Sequence, residues 1–321
     1  MADMSKLIVA VDAMGGDLGP EAAVKGAVWA NKEYPRISII LTGPSDELNE
    51  ILMKHNQGGD ISIVHAPDVI HPGESPTLAF RRKKESSMVV ALKLVKEGKA
   101  HGFVSSGSTG AVLTGATVLI GRKKGVERPA LGTLLPNAKK GFTLLADSGA
   151  NMDSKPSYLL QFGMLGSEYM KNMRGIKSPR VGLINVGHED EKGNALAKEA
   201  FALLKESDLN FVGNIEGREI PSGDVDVAVC DGFTGNVVLK FMEGVAKTMM
   251  GMIKEELMST TVSKIGALLA RGAFKKIRTR FDYREVGGAP FLGLNHLVIK
   301  AHGSSDALAF KNAILQIKEQ K

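Results

Sequence analysis

Residues 100–121, AHGFVSSGSTGAVLTGATVLIG, carry no formal charge over a length that could cross a bilayer. How this stretch is read decides the fold. Ser105, Ser106, Ser108, Thr109, Thr114, Thr117 and five glycines interrupt it. A bilayer offers hydroxyls and flexible backbone few partners, whereas a soluble core offers a strand, a polar turn and a helix. The second reading is adopted. It gives a buried strand at Phe103–Val104, a turn at Ser105–Gly110 and a helix that begins before Ala111-Val112-Leu113.

The same unit recurs outward in both directions. Apolar β-rich runs occur at Leu7–Val11, Ile37–Leu41, Ile61–Val64, Val181–Val186, Asn210–Val212 and Val225–Val229. Helical patterns fall between most of them, at Glu21–Glu33, Ser86–Glu97, Ser157–Met173 and Asn194–Lys205. Strand–helix alternation predicts a three-layer α/β/α fold with a largely parallel sheet. No linker or internal repeat divides the chain, so one catalytic domain over 1–321 is expected. Ligands in such folds bind beyond the carboxyl ends of the strands, which directs attention to the loops there.

Composition narrows the function. The chain of 321 residues is 43% apolar and 24% charged, as soluble globular domains are. A single cysteine, Cys230, excludes an intrachain disulfide and suits a reducing cytoplasm; it is expected inside a strand. The segment Met1–Ala10 lacks the long apolar core of a signal peptide. The net charge of +6 favours acidic partners. No zinc-finger spacing and no basic region joined to heptads is present, which argues against nucleic acid.

Three loops carry candidate chemistry. Asp12-Ala13-Met14-Gly15-Gly16-Asp17 could bring backbone close to a ligand, or could be a tight turn capped by Asp12. Ser105-Ser106-Gly107-Ser108-Thr109-Gly110 could cradle an anion on a helix N-terminus, or could be a plain N-cap. It fits neither the Walker A nor the dinucleotide pattern. Asp231-Gly232-Phe233-Thr234-Gly235-Asn236 repeats that geometry before a helix at Val237–Met242, with Thr234 or Asn236 as the alternative cap. Asn185–Asn194 holds three acids before Lys192 and a lone His188, which reads as a solvated residue. Asp147–Asn151 ends a further β-rich run, and Lys300–Asp306 joins a short strand to a last helix.

Taken in order, VDAMGGD, RRKKESSMVVALKLVKEGKA, SSGSTGA, RPALG, DSGANMDSKP, GLINVG, KGN, DGFTGNVVLK and VIKAHGSSDA resemble the PlsX family, the phosphate:acyl-ACP acyltransferases. They run from residue 10 to about residue 315, nearly the whole chain. The resemblance implies a fold of the phosphotransacetylase and isocitrate dehydrogenase type, usually homodimeric. It implies transfer of a fatty acyl group from acyl carrier protein (ACP) to inorganic phosphate, giving acyl phosphate for phospholipid synthesis, with no cofactor and no metal. Phosphate would be the nucleophile, so no serine or cysteine nucleophile is needed.

On this reading Lys192, Asn236 and Asp231 are the catalytic candidates. Lys192 would bind phosphate or the developing charge, Asn236 would orient phosphate or donate to the oxyanion, and Asp231 would hold Lys192 or its own loop. Asp12, Gly15, Gly16, Ser106, Gly107, Ser108, Thr109, Gly110, Asn151, Thr234, Gly235 and His302 are the binding candidates. Ser108 stands where the family often has Asn, and His188 where an acid is expected.

Two basic elements remain. Arg81-Arg82-Lys83-Lys84 could dock acidic carrier protein, or could be a solvated turn or a dimer contact. A projecting element at about 249–284 includes Val262–Arg280, read as one basic amphipathic helix. Val262, Ile265, Leu268, Leu269, Ala273 and Ile277 share one face, opposite Lys264, Arg271, Lys275 and Arg278. Such a helix either faces the core or lies on anionic lipid, through Ile265, Leu268, Leu269, Lys275 and Ile277. A weak membrane partner and the downstream glycerol-3-phosphate acyltransferase follow from the family's pathway, placing the protein in the cytoplasm or on the inner face of the plasma membrane. The competing readings are an acyl-CoA phosphotransacetylase, a decarboxylating dehydrogenase and a membrane-bound scaffold.

Overall fold

Strands β1 (Leu7–Asp12), β2 (Ile37–Gly43), β3 (Ile61–His65) and β4 (Gly102–Ser105) pair in parallel in the spatial order β3-β2-β1-β4. The computed structural model describes residues 6–55 and 59–320. Between these strands run α1 (Gly19–Glu33), α2 (Ser45–His55), α3 (Pro76–Arg82) and α4 (Ser87–Lys96), and α5 (Thr109–Leu119) follows. Residues 100–121 are thus a buried strand, a turn and a helix. Among the described residues no helix is long and apolar enough to cross a membrane.

Beyond α5 the chain crosses into a second sheet. Short β5 (Ala130–Leu131) stays with the first sheet, and β6 (Thr133–Pro136) belongs to the other. Only Gly132 separates them, and a Cβ there would press Leu292 at 3.0 Å. The second sheet adds β7 (Phe142–Ala146), β8 (Val181–Ile184), β9 (Phe211–Ile215) and β10 (Val227–Val229), in the order β6-β7-β10-β8-β9. All its pairs are parallel except β6 with β7. Its helices are α6 (Pro156–Arg174), α7 (Ala195–Lys205) and α8 (Gly232–Ser259).

The chain then runs through α9 (Thr261–Leu269), α10 (Arg271–Phe281) and short α11 (Tyr283–Val286). Antiparallel β11 (Gly288–Leu292) and β12 (Leu297–Ala301) return to the first sheet, with β12 parallel to β4, and α12 (Ala307–Gln316) packs on α1. Both sheets are largely parallel and layered with helices, the α/β class that strand–helix alternation predicts. The first sheet buries Val9, Val11, Ile39, Leu41 and Phe310 on one face and Phe103, Met88, Leu92 and Val112 on the other. The second packs Leu144, Val181, Val227 and Phe162 under α6 and α7, with Leu145, Ala228 and Cys230 on its opposite face.

Two expectations about helices are corrected. Val262–Arg280 is two helices, with Ala270 leaving helical geometry between them at ψ 2°. Gly266 and Gly272 flank the break, and glycine forms helix poorly. Neither helix buries a residue, so their apolar side chains do not face the core; Leu269 is 85% exposed. The helix expected at Val237–Met242 is α8, 28 residues long and begun at Gly232.

Candidate functional site

Strands β1, β4, β7, β8, β10 and β12 each end in one of the loops singled out by sequence, and two of these loops lean on one another. Ser106 Oγ donates to the Gly15 carbonyl at 2.7 Å, and Ser105 Oγ donates to Asp12 at 2.6 Å. A Cβ on Gly15 would meet Gly107 N at 2.7 Å, and one on Gly16 would meet Ser106 Oγ at 2.4 Å. Gly15, Gly16 and Gly107 therefore serve the contact between two loops. Asp12 is buried, which pushes its carboxyl above the usual range against the hydrogen bonds from Ser105 and others.

The third loop carries its own cap. Asp231 accepts from Thr234 N at 2.9 Å and Thr234 Oγ1 at 2.8 Å, so the cap is Asp231 and neither Thr234 nor Asn236. Asn236, freed of that duty, faces a cavity of about 300 Å3 between the two sheets. Thr109 at the start of α5, Ser148 and Gly149 after β7, and Lys300, His302 and Gly303 at the end of β12 share its wall. Lys240 and Glu243 come from the next turns of α8, on the face that carries Asn236. The other wall is apolar: Leu131, Leu134, Leu239, Val286 and Ala289.

The polar end gathers cations. Lys240 Nζ lies 2.7 Å from Glu243 and 3.3 Å from His302 Nε2. His302 Nδ1 lies 2.8 Å from Ser304 Oγ, and its ring tilts against Tyr283 at 5.2 Å. Burial, with the Lys240 charge beside it, holds His302 below its ordinary value. The Lys300 amine is pushed down to about 8, chiefly by burial, and donates to the carbonyls of Ser106 and Ala301. Two helix N-termini, those of α5 and α8, add partial positive charge.

The sequence reading singles out neither Lys240 nor Glu243, and names Lys300 only as the start of its last loop. A signal existed for each lysine: Lys240 follows Asn236 by four positions, and Lys300 interrupts an otherwise apolar strand two positions before His302.

The other candidates lie elsewhere. Lys192 is on the loop after β8, 48% exposed and 4.0 Å from Glu189, and is not part of the cavity wall. Asn151 donates its amide to the Pro129 carbonyl and to Asp147, each at 2.9 Å. A Cβ on Gly110 would meet Pro76, and one on Gly235 would meet the backbone of Asp147. Ser108 precedes α5 without a capping bond. Cys230 follows β10 as a buried thiol, raised well above its ordinary value by burial, which is no state for a nucleophile. Of the Arg81–Lys84 cluster, Lys83 is bound to Glu74 and the Val69 carbonyl, each at 2.7 Å, and Lys84 lies over Phe80. Arg81 and Arg82 remain exposed. Among the described residues no group of three or more His, Cys, Asp or Glu is placed to hold a metal.

Known proteins share the fold of this chain and, at higher identity, its family. Phosphotransacetylase from Streptococcus pyogenes superposes with a TM-score of 0.65 at 18% identity, covering 98% of this chain and 94% of that one. A branched-chain phosphotransacylase from Enterococcus faecalis V583 gives 0.61 at 15%, covering 98% of each. At these identities the likeness is one of fold. Sequence goes further. A phosphate acyltransferase from Clostridium botulinum (strain ATCC 19397 / Type A) is 54% identical over 313 residues, 97% of this chain and 93% of its own. One from Clostridium acetobutylicum is 53% identical over 311 residues, 97% and 94%. Residues 7–320 match the family described as "Fatty acid synthesis protein". The chain belongs to that family, the PlsX phosphate acyltransferases, and is an acyltransferase.

Proposed function

We propose that the cavity between the sheets binds inorganic phosphate and an acyl thioester, and that the chain moves a fatty acyl group from acyl carrier protein to phosphate for phospholipid synthesis. The observation that carries this reading is the division of one cavity into a cationic end and an apolar end. Lys240, Lys300, His302 and the starts of α5 and α8 suit a phosphate dianion. Leu131, Leu134, Leu239 and Val286 suit an aliphatic chain. With phosphate as nucleophile, the protein must position it, exclude water and stabilise the tetrahedral oxyanion. Asn236, at the first turn of α8, is the donor suited to that oxyanion, and Asp231 keeps the turn in place by capping it.

The deciding experiment mixes purified protein with acyl-ACP and phosphate and follows free carrier thiol and acyl phosphate together. Phosphate-dependent release of both is expected, faster than with acyl-CoA. Folded protein that yields neither would remove the reading. Lys240→Ala is expected to raise the KM for phosphate about tenfold with little change in fold, as loss of one charge-assisted contact does. Lys192 would act from its loop on the same sheet edge. Lys192→Ala is expected to lower kcat more than about tenfold. Near-normal turnover would leave the anion to Lys240 and Lys300.

Exposed surface supports the partners of this reading. Phe233, Val237, Phe241, Val245 and Met249 form an exposed stripe at four-residue spacing on α8, fit for a second copy of the chain. Arg81 and Arg82 suit an acidic carrier. On α9 and α10, Ile265, Leu268, Leu269 and Ile277 with Lys275 nearby suit an anionic bilayer. The protein would then work in the cytoplasm against the inner membrane, beside the glycerol-3-phosphate acyltransferase that takes its product. Co-sedimentation with vesicles is expected to rise several-fold when anionic lipid replaces zwitterionic lipid, at about 1 kcal/mol per basic residue at the surface. Leu269→Glu should abolish the gain. Equal sedimentation with both lipids would exclude this contact.

A further inference from the structure

We propose that Lys300 is the acid–base residue of the transfer: its amine takes the proton of hydrogen phosphate as a phosphate oxygen attacks the thioester carbonyl, and passes it to the departing sulfur. The proposal rests on the reading of a phosphate and a thioester in this cavity.

The reaction requires one proton to move. Hydrogen phosphate and an acyl thioester give acyl phosphate dianion and a free thiol. A C–O bond forms, the C–S bond breaks, nothing is oxidised, and the proton on phosphate ends on sulfur. A group that accepts it and returns it leaves the enzyme as it began. Such a group gains most when its proton affinity is balanced near the working pH.

Lys300 has the setting for this. Its side chain is half-buried and forms part of the cavity wall. The carbonyls of Ser106, at 3.4 Å, and Ala301 take two of its hydrogens. A neutral amine has two hydrogens and an ammonium three, so the remaining position is where a proton arrives and leaves. Among the described residues no carboxylate forms an ion pair with it to hold it charged. The charged and titratable groups facing this end are Asp12 from β1, Asp17 from the following loop, Lys240 and Glu243 from α8, His302, and Tyr283 from α11. The Asp12 carboxyl is occupied by Ser105 and the Met14 N–H. Lys240 is a different kind of cation, paired with Glu243 at 2.7 Å and half exposed, which suits holding an anion. His302 is engaged at both ring nitrogens, Nε2 lying 3.3 Å from Lys240 Nζ and Nδ1 accepting from Ser304 N at 3.2 Å. Burial supports the assignment by drawing Lys300 toward the pH at which it can exchange protons.

The test compares wild type, Lys300→Arg and Lys300→Ala with acyl-ACP and inorganic phosphate, with folding followed by circular dichroism. Arginine keeps the charge but cannot give up a proton. Lys300→Arg is expected to hold the KM for phosphate within about fivefold while kcat falls at least about 100-fold. The wild-type pH–rate profile should contain a limb near 8 that Lys300→Arg lacks. Methylamine or ethylamine should restore turnover to Lys300→Ala, more so as the amine is more basic. Turnover of Lys300→Arg within about tenfold of wild type would overturn the proposal, below the smallest effect of a proton-transfer residue. So would a loss in Lys300→Ala confined to the KM for phosphate and untouched by amines. If Lys300→Ala does not fold, the arginine variant decides: a retained limb near 8 refutes the role. Wild type inert with every thioester donor would instead sink the reading of the cavity beneath it, a result that no variant is needed to recognise.

Discussion

Asp147→Ala is expected to cost about 4 kcal/mol or more in urea unfolding, although Asp147 is not itself part of the cavity wall and pairs with no basic side chain. Its carboxyl group accepts from Leu131 N at 2.9 Å, Gly149 N at 3.2 Å, Ala150 N at 3.0 Å and Asn151 N at 2.6 Å, and from the Asn151 amide at 2.9 Å. The residue is fully buried, so alanine would strand four backbone donors away from protein acceptors. Each orphaned buried donor costs about 1–3 kcal/mol, which entering water can reduce but not cancel. These bonds also give the loop its shape. Leu131 belongs to β5 in the first sheet, whereas Asp147 follows β7 in the second, so one carboxyl group fastens the two sheets at the rim of the cavity. Ser148 and Gly149, which line that rim, should move with it, and turnover should fall alongside stability. Asp147→Asn keeps one acceptor oxygen and should lose about half as much. A change under about 1 kcal/mol in Asp147→Ala would show that the loop holds itself without the carboxyl group.

Much of this architecture is legible in the chain, and what is not has physical causes. Buried parallel strands read as continuous apolar runs, which is why Leu7–Asp12 and Val227–Val229 stand out. The division into two sheets does not show. Residues 130–136 form one apolar run, yet Leu131 pairs with Phe291 and Thr133 with Leu145 across a single glycine. Hydrophobic periodicity reports a buried face and is silent about which sheet buries it. The glycines of the first two loops are legible as positions needing close approach, but not what approaches; for Gly15 and Gly16 it is the second loop, and for Gly110 it is Pro76. Asn236, Thr109 and His302, which line the cavity, sit at strand ends and helix starts where the sequence draws attention to them. Lys240 and Lys300 lie one step inside those elements, where a lysine reads as solvated surface until the partner sheet covers it. Lys192 is half exposed on its loop, beside Gly-Asn neighbours that mark a helix start.

Gly235→Ala should destabilise the protein by about 3 kcal/mol or more and lower turnover about 100-fold, reversing the usual sign of glycine-to-alanine changes in helices. Alanine normally favours helix over glycine by up to about 1 kcal/mol. Gly235 lies in the first turn of α8, one position before Asn236, with no positive φ to explain the glycine. What excludes a side chain is space. A Cβ would fall 1.9 Å from the Asp147 carbonyl oxygen and 3.1 Å from Cys230 Sγ. The obstacle is backbone, fixed by the Asp147 carboxyl network, and no rotamer can relieve it. The start of α8 would have to lift from the end of β7, carrying Asn236 and Lys240 away from Lys300 and His302. Displacements of about 1 Å at a reacting centre cost about 100-fold in rate. Two positions on the same helix supply the control. Gly244 and Gly251 have nothing within 4 Å of a built Cβ, so alanine there should raise the melting temperature and leave turnover unchanged. If Gly235→Ala behaves as they do, α8 is not seated on Asp147, and the convergence of Asn236, Lys240, Lys300 and His302 loses its mechanical basis.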